Sequence, residues 1–204
     1  MQKLHIFIPR FAVGLALAAL PAAILGQTNA MPSDSSTAMH SNSTSDSGSV
    51  SASDEAFVRE AAEGGMAEIA LGELATEKAS SDEVKKFGQR MVDDHSRAAD
   101  ELKEIASSKG IRVPDRLSAK DRMTKYRLSK LSGEQFDRAY MSDMVKDHTE
   151  DVADFKLESS SGTDPDVKHF AATTLPTLQD HLRQAKEIAP TTRNASNDRN
   201  GGVQ

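Results

Sequence analysis

The sequence contains no cysteine and no tryptophan, and aromatic residues make up only 4% of it. Without cysteine there is no disulfide framework, no thiolate nucleophile and no cysteine-ligated metal site. An excess of positive charge is also missing. The formal net charge is −6, and residues 1–30 carry only the basic Lys3 and Arg10, so the remainder is more acidic still. That sign excludes general nucleic-acid binding. The chain has no glycine-rich phosphate loop, no Gly-x-Ser-x-Gly elbow, no His-Glu-x-x-His and no histidine pair at i, i+4; none of these motifs nominates a nucleophile or an enzyme class.

What is present is alanine, leucine, methionine, glutamate and lysine in quantity, in a chain of 204 residues. That composition favours helix, and the length suits one domain with a core.

The two ends stand apart. MQKLHIFIPR followed by FAVGLALAALPAAILG and QTNA has a basic start, a short apolar middle and a small-residue exit. This is the layout of a secretory signal peptide over residues 1–30, with cleavage expected after Ala30 and no transmembrane helix left in the mature chain. No cysteine follows, so a lipoprotein anchor is excluded. The expected location is therefore outside the cytoplasm: exported, periplasmic, with outer-membrane association as a further option. Residues 31–53 are Ser-rich and read as a flexible linker, and residues 190–204 read as a disordered tail.

Between these ends the pattern predicts four long helices over residues 54–189. The first starts with Ser53 as N-cap and runs to about Ser80. The second follows Ser81 and ends before Gly110. The third spans about 133–160. The fourth begins near Asp164, carries Pro165 in its first turn, is kinked by Pro176 and stops before Pro190. A connector between the second and third has Ser118 and Asp121 spaced as a capping box, which predicts a short extra helix.

The second helix places Val84, Gly88, Met91, His95, Ala98, Leu102 and Ile105 at alternating spacings of four and three, and the fourth does the same around His181. That is a bundle seam with histidines on it. MVDDHSRAADELK at 91–103 echoes MVKDHTEDVADFK at 144–156, and EVKKFG at 83–88 echoes DVKHFA at 166–171. Two related helical hairpins explain both echoes. Counting residues from the hairpin turns at 1.5 Å each puts Glu68, His95, His148 and His181 at similar heights, roughly 18–24 Å from the turns. Four inward polar residues, one per helix, are thus expected to converge at mid-bundle.

The stretches AEGGMAEIALGELA, VKKFGQRMVDDH, FDRAYMSDMVKDH and VKHFAATTLPTLQDH resemble the bacterial "domain of unknown function 4142" family of exported proteins, over about residues 54–188. The resemblance implies an all-α, ferritin-like four-helix bundle and implies no activity. The di-iron ferritin pattern of paired Glu-x-x-His motifs is broken here, because Val92 and Leu178 stand three residues before His95 and His181. Three imidazoles and one carboxylate, from Glu68, His95, His148 and His181, suit a single zinc, copper or iron ion better than a metal pair. Asp94, Asp147, Asp151 and Asp180 are expected behind them as carboxylates that orient the histidines.

Two function classes remain open at this level. One is a metal-binding protein of the envelope, serving metal handling or stress. The other is a non-catalytic structural or interaction protein whose inward His, Asp and Glu residues form a hydrogen-bond network. A pH-responsive bundle is a third idea, since clustered imidazoles oppose joint protonation. The connector from 109 to 130 is basic and reads as a strap over an acidic bundle, or as a contact for anionic envelope components. The oligomeric state is not legible.

Overall fold

The computed structural model describes residues 50–200, from residue 190 onward by backbone alone. The expected signal peptide and residues 31–49 of the Ser-rich linker lie outside the described residues, as do residues 201–204. Among the described residues there are five helices and no strand: α1 Ala52–Lys78, α2 Asp82–Ser108, α3 Ala119–Ser129, α4 Gly133–Ser161 and α5 Pro165–Asn200. None of them is long and apolar enough to cross a membrane.

The helix starts follow from local chemistry. Ser81 Oγ accepts the Glu83 N–H, and Ser118 Oγ accepts the Asp121 N–H, which satisfies donors that an α-helix leaves open. At α1 the cap is Ser51, whose Oγ accepts the Asp54 N–H at 3.1 Å, so the expected cap Ser53 is already inside the first turn. The reason is tertiary: the Asp54 carboxylate is engaged across the bundle, described below. α2 ends on Gly110 at φ +68°, a conformation that lets the Ile111 N–H close back on the Ala106 carbonyl at 2.8 Å.

α5 departs from expectation. It continues past Pro190 to Asn200, beyond the helix end expected before Pro190 and into the residues expected to form a disordered tail. A proline removes one donor and stresses one turn, but extending an established helix costs far less than starting one.

α1 pairs with α2 and α4 with α5 as hairpins, and the hairpins meet along α1–α4 and α2–α5. Two aspartates clasp them. Asp54 in α1 accepts from the Thr163 N–H, the Thr163 hydroxyl and the Asp164 N–H at 3.2, 2.7 and 2.8 Å, at the α4–α5 turn. Asp137 in α4 accepts from the Ser80 N–H, the Ser80 hydroxyl and the Ser81 N–H at 3.0, 2.6 and 3.0 Å, at the α1–α2 turn. The two clasps correspond residue for residue at an offset of 83 positions, Asp54 to Asp137, Ser80 to Thr163 and Ser81 to Asp164, the same offset as EVKKFG to DVKHFA. The duplication is thus visible as one hydrogen-bond pattern used at both ends. It also sets direction: α1 and α4 run antiparallel, so the connector with α3 must travel the length of the bundle. The basic strap lies on acidic partners at both ends, Lys109 on Asp164 and Asp166 at 2.8 and 2.7 Å, and Arg127 on Asp143.

The core forms two apolar clusters. One gathers Leu71, Leu74, Phe87, Met91, Phe136, Tyr140, Met141 and Met144, with Leu128 of α3 completing it. The other gathers Phe57, Val58, Leu102, Phe155, Val167, Phe170 and Leu178. The interface within the first hairpin is very close. A Cβ on Gly72 would sit 2.6 Å from the Gly88 carbonyl oxygen, and one on Gly88 would sit 2.7 Å from Ala75 Cβ. Of the three α1 glycines, Gly72 meets backbone, whereas Gly64 and Gly65 face the side chains of Asp151 and His95 at 4.0 and 3.9 Å.

Beside the Asp54 clasp, Glu158 of α4 is buried. Burial and the Asp54 charge raise its carboxyl to about 7. An acid raised in the folded state adds stability below its unfolded value, and that stability is lost as pH climbs toward the folded value. The window here is from about 4.5 to about 7. Glu158→Gln is therefore expected to leave the melting temperature nearly unchanged at pH 4.5 and to raise it by a few degrees at pH 8. Thermal melts of both proteins at the two pH values check this; equal shifts at both would refute it.

Candidate metal centre

A polar layer lies between the two apolar clusters, one residue from each long helix: Glu68 from α1, His95 from α2, His148 from α4 and His181 from α5. All four are buried, the imidazoles of His148 and His181 completely. The ring centroids of the three histidines are 5.3–5.7 Å apart. Each ring offers a nitrogen, and the three nitrogens lie within 4.8 Å of one another. Phe87 packs its ring against both His148 and His181, which closes the layer on one side.

The hydrogen-bond partners assign the tautomers. His148 Nδ1 faces two acceptors, the Met144 carbonyl at 3.1 Å and Glu68 Oε1 at 3.2 Å. It must carry the proton, which leaves a lone pair on Nε2. His181 Nε2 faces Asp94 Oδ2 at 2.8 Å, so it donates and leaves its lone pair on Nδ1. Those two lone-pair nitrogens face each other at 3.3 Å. His95 Nδ1 lies 3.0 Å from Glu68 Oε2, and its Nε2 is buried with no hydrogen-bond partner among the described residues. Two lone pairs therefore face each other, with the unpartnered His95 Nε2 beside them.

The electrostatics agree with the geometry. Burial, reinforced by the other imidazoles, holds His95 well below the usual histidine value, and burial together with His181 lowers His148 to about 3. His181 is also lowered by burial, with the Asp94 carboxylate partly offsetting it. At neutral pH all three rings are neutral, the form that ligates metal. The carboxyls shift the opposite way. Burial, then the Asp151 charge, raises Glu68 well above the usual range, and burial raises Asp151 to about 7. Both sets of groups lack a positive charge.

The structure distributes the expected site residues over different positions. Glu68 does not stand with these three nitrogens as a fourth donor. It sits on the Nδ1 side of His95 and His148, at 3.0 and 3.2 Å. Asp94 holds His181, as expected of an orienting carboxylate on the neighbouring helix. Asp180 stands one step further out: Arg90 bridges it to Asp94 at 2.6 and 3.0 Å. Hydrogen bonds from Arg183 and Arg90 keep Asp180 ionised, at about 2. Asp151 is within hydrogen-bonding range of Glu68 and groups with Glu68 and His148 as a second potential ligand set. Asp147 touches none of the histidines and pairs at the surface with Lys146 at 3.8 Å. Sequence reasoning missed Arg90 and the Met144 carbonyl. Arg90 had a signal, lying one turn before Asp94; the carbonyl had none, because every residue has one.

Three neutral imidazoles at this spacing could supply the donors of a tetrahedral metal site with an open position. Bonds of about 2.05 Å from one ion place tetrahedral donors about 3.3 Å apart, which is the separation of His148 Nε2 and His181 Nδ1.

A family model described as a domain of unknown function (DUF4142) matches residues 39–188. The crystal structure of a DUF305 fragment from Deinococcus radiodurans is similar to the chain, with a TM-score of 0.61 at 16% identity, covering 71% of this chain and 99% of that one. At that identity the likeness is one of fold, a helical bundle. No curated protein matches the chain.

Proposed function

The chain belongs to the domain of unknown function (DUF4142) family, and from its buried imidazoles we propose that it binds one transition-metal ion, zinc, copper or iron, in the cell envelope. The observation that carries this reading is the pair of lone-pair nitrogens at 3.3 Å, with the unpartnered His95 Nε2 beside them. A hydrogen-bond network would place a proton between such nitrogens; here the outward partners have taken the ring protons. A cation satisfies all three rings and compensates the raised carboxyls behind them.

The envelope location rests on the signal-like residues 1–30. The open cleft lined by Arg59, Arg112, Arg116 and Arg122 supports peripheral contact of the connector with anionic envelope components. The reading is metal handling rather than a named reaction.

Elemental analysis of protein purified from the periplasmic fraction without a polyhistidine tag tests it. The expected result is about one equivalent of zinc, copper or iron per chain, removed by chelator and taken up again. A chain that holds no metal and takes none up would leave the structural network as the account of these residues.

A further inference from the structure

A metal site between two apolar clusters needs an entrance. A cavity of about 310 Å³ opens between α1, α3 and α4, large enough for a cation with part of its water shell. Six carboxylates line it: Glu68, Asp121, Asp143, Asp147, Glu150 and Asp151. Only two lysines accompany them, Lys120 and Lys146, and Lys146 is held to Glu150 at the rim at 3.2 Å. Acidic residues alone would mean little on an acidic protein. Glu68 is different: it is 4% exposed, its Oε1 has no hydrogen-bond partner among the described residues, and it lines the cavity while lying 3.0 and 3.2 Å from the Nδ1 atoms of His95 and His148. Its carboxyl also stands within hydrogen-bonding range of Asp151, an arrangement of two acceptors that requires a positive charge or a shared proton between them. With His148 these two carboxylates form a ligand set with donor atoms within 4.8 Å of one another.

Resting on the metal-binding reading, we propose that this acidic cavity under α3 is the loading port for a hydrated divalent cation, which the Glu68–Asp151 pair receives and passes to the imidazoles. The wide mouth collects cations by charge, since a cleft lined with one sign concentrates the opposite one. The narrow inner end exchanges water for carboxylate oxygen and then for imidazole nitrogen, in order of increasing softness. The strap acquires a role in this arrangement: Lys120, Asp121 and Thr124 of α3 form the outer wall.

Stopped-flow uptake of cobalt(II), read by its visible absorption in a nitrogen-ligated site, tests the port with two variants of the full mature chain. Glu150→Lys reverses a rim charge on a side chain that is 58% exposed, so folding is not at risk. It should slow uptake about tenfold at low salt, with the difference shrinking at high salt. Thr124→Trp places bulk in the passage. It should slow both uptake and chelator-driven release about tenfold and leave the equilibrium affinity unchanged, because a plug alters the path and not the end state. Uptake at parental rates in both variants would overturn the port while the metal site stands. A parent chain that takes up no cobalt at all would overturn the metal reading, and the port with it.

Discussion

His148→Leu abolishes the rise in melting temperature that zinc, copper or iron gives the parent chain: this is the expected result with the most direct bearing on function. A ligand that binds only the folded state adds about 4 kcal/mol at a thousandfold excess over its dissociation constant. Removing one of three imidazoles should eliminate most of that. In chelator the same substitution should be mild, within about 1 kcal/mol of the parent or slightly stabilising, for two reasons. Leucine suits a position flanked by Met141, Met144 and Phe155, all buried. It also relieves the lone-pair opposition of His148 Nε2 and His181 Nδ1. The cost is the loss of a donor to the Met144 carbonyl and of the imidazole 3.2 Å from Glu68 Oε1. That carbonyl remains an acceptor within helix α4, so the loss is small. A structural network predicts the reverse: a loss of about 1–3 kcal/mol, equal with and without metal. Melting curves of both proteins with chelator and with each metal separate the outcomes, and a metal-independent loss would sink the metal centre.

The largest effect on the fold is expected at a residue without a side chain. Gly88→Ala should cost about 3 kcal/mol or more. The added methyl would lie 2.7 Å from Ala75 Cβ and 2.9 Å from the Gly72 carbonyl oxygen. Neither obstacle is the end of a flexible side chain, so α1 and α2 must separate along their whole interface. Gly64→Ala is the control. Its nearest neighbour is Asp151 Oδ1 at 4.0 Å, and alanine favours helix over glycine, so it should stabilise by about 0.5–1 kcal/mol. Urea unfolding of the two variants reads both signs. If Gly88→Ala unfolds within 0.5 kcal/mol of the parent, the close approach of α1 and α2 is not as described.

The helices, the two hairpins and the mid-height layer were legible in the sequence, because each is a one-dimensional property. Apolar spacing locates the seam, and His95, His148 and His181 stand on it. A fixed rise per residue converts distance from a turn into height, which brought Glu68 and the histidines to one level. Caps at Ser81 and Ser118 were readable because a serine ahead of a helix accepts an N–H from that helix's own first turn. The misplaced cap at Ser53 shows the limit of that logic. Ser51 and Ser53 are both adequate caps, and the choice fell to Ser51 because Asp54 had to reach Thr163 and Asp164, residues more than a hundred positions away. Tertiary structure alone settled what each ring nitrogen meets. It put Glu68 behind two imidazoles, engaged Asp94 directly with His181 and through Arg90 with Asp180, and left Asp147 at the rim of a cavity. Spacing along a helix reports which face a residue is on and how high it stands. Which atom it presents depends on a rotamer and on a neighbour across the helix interface, and both are chosen by packing.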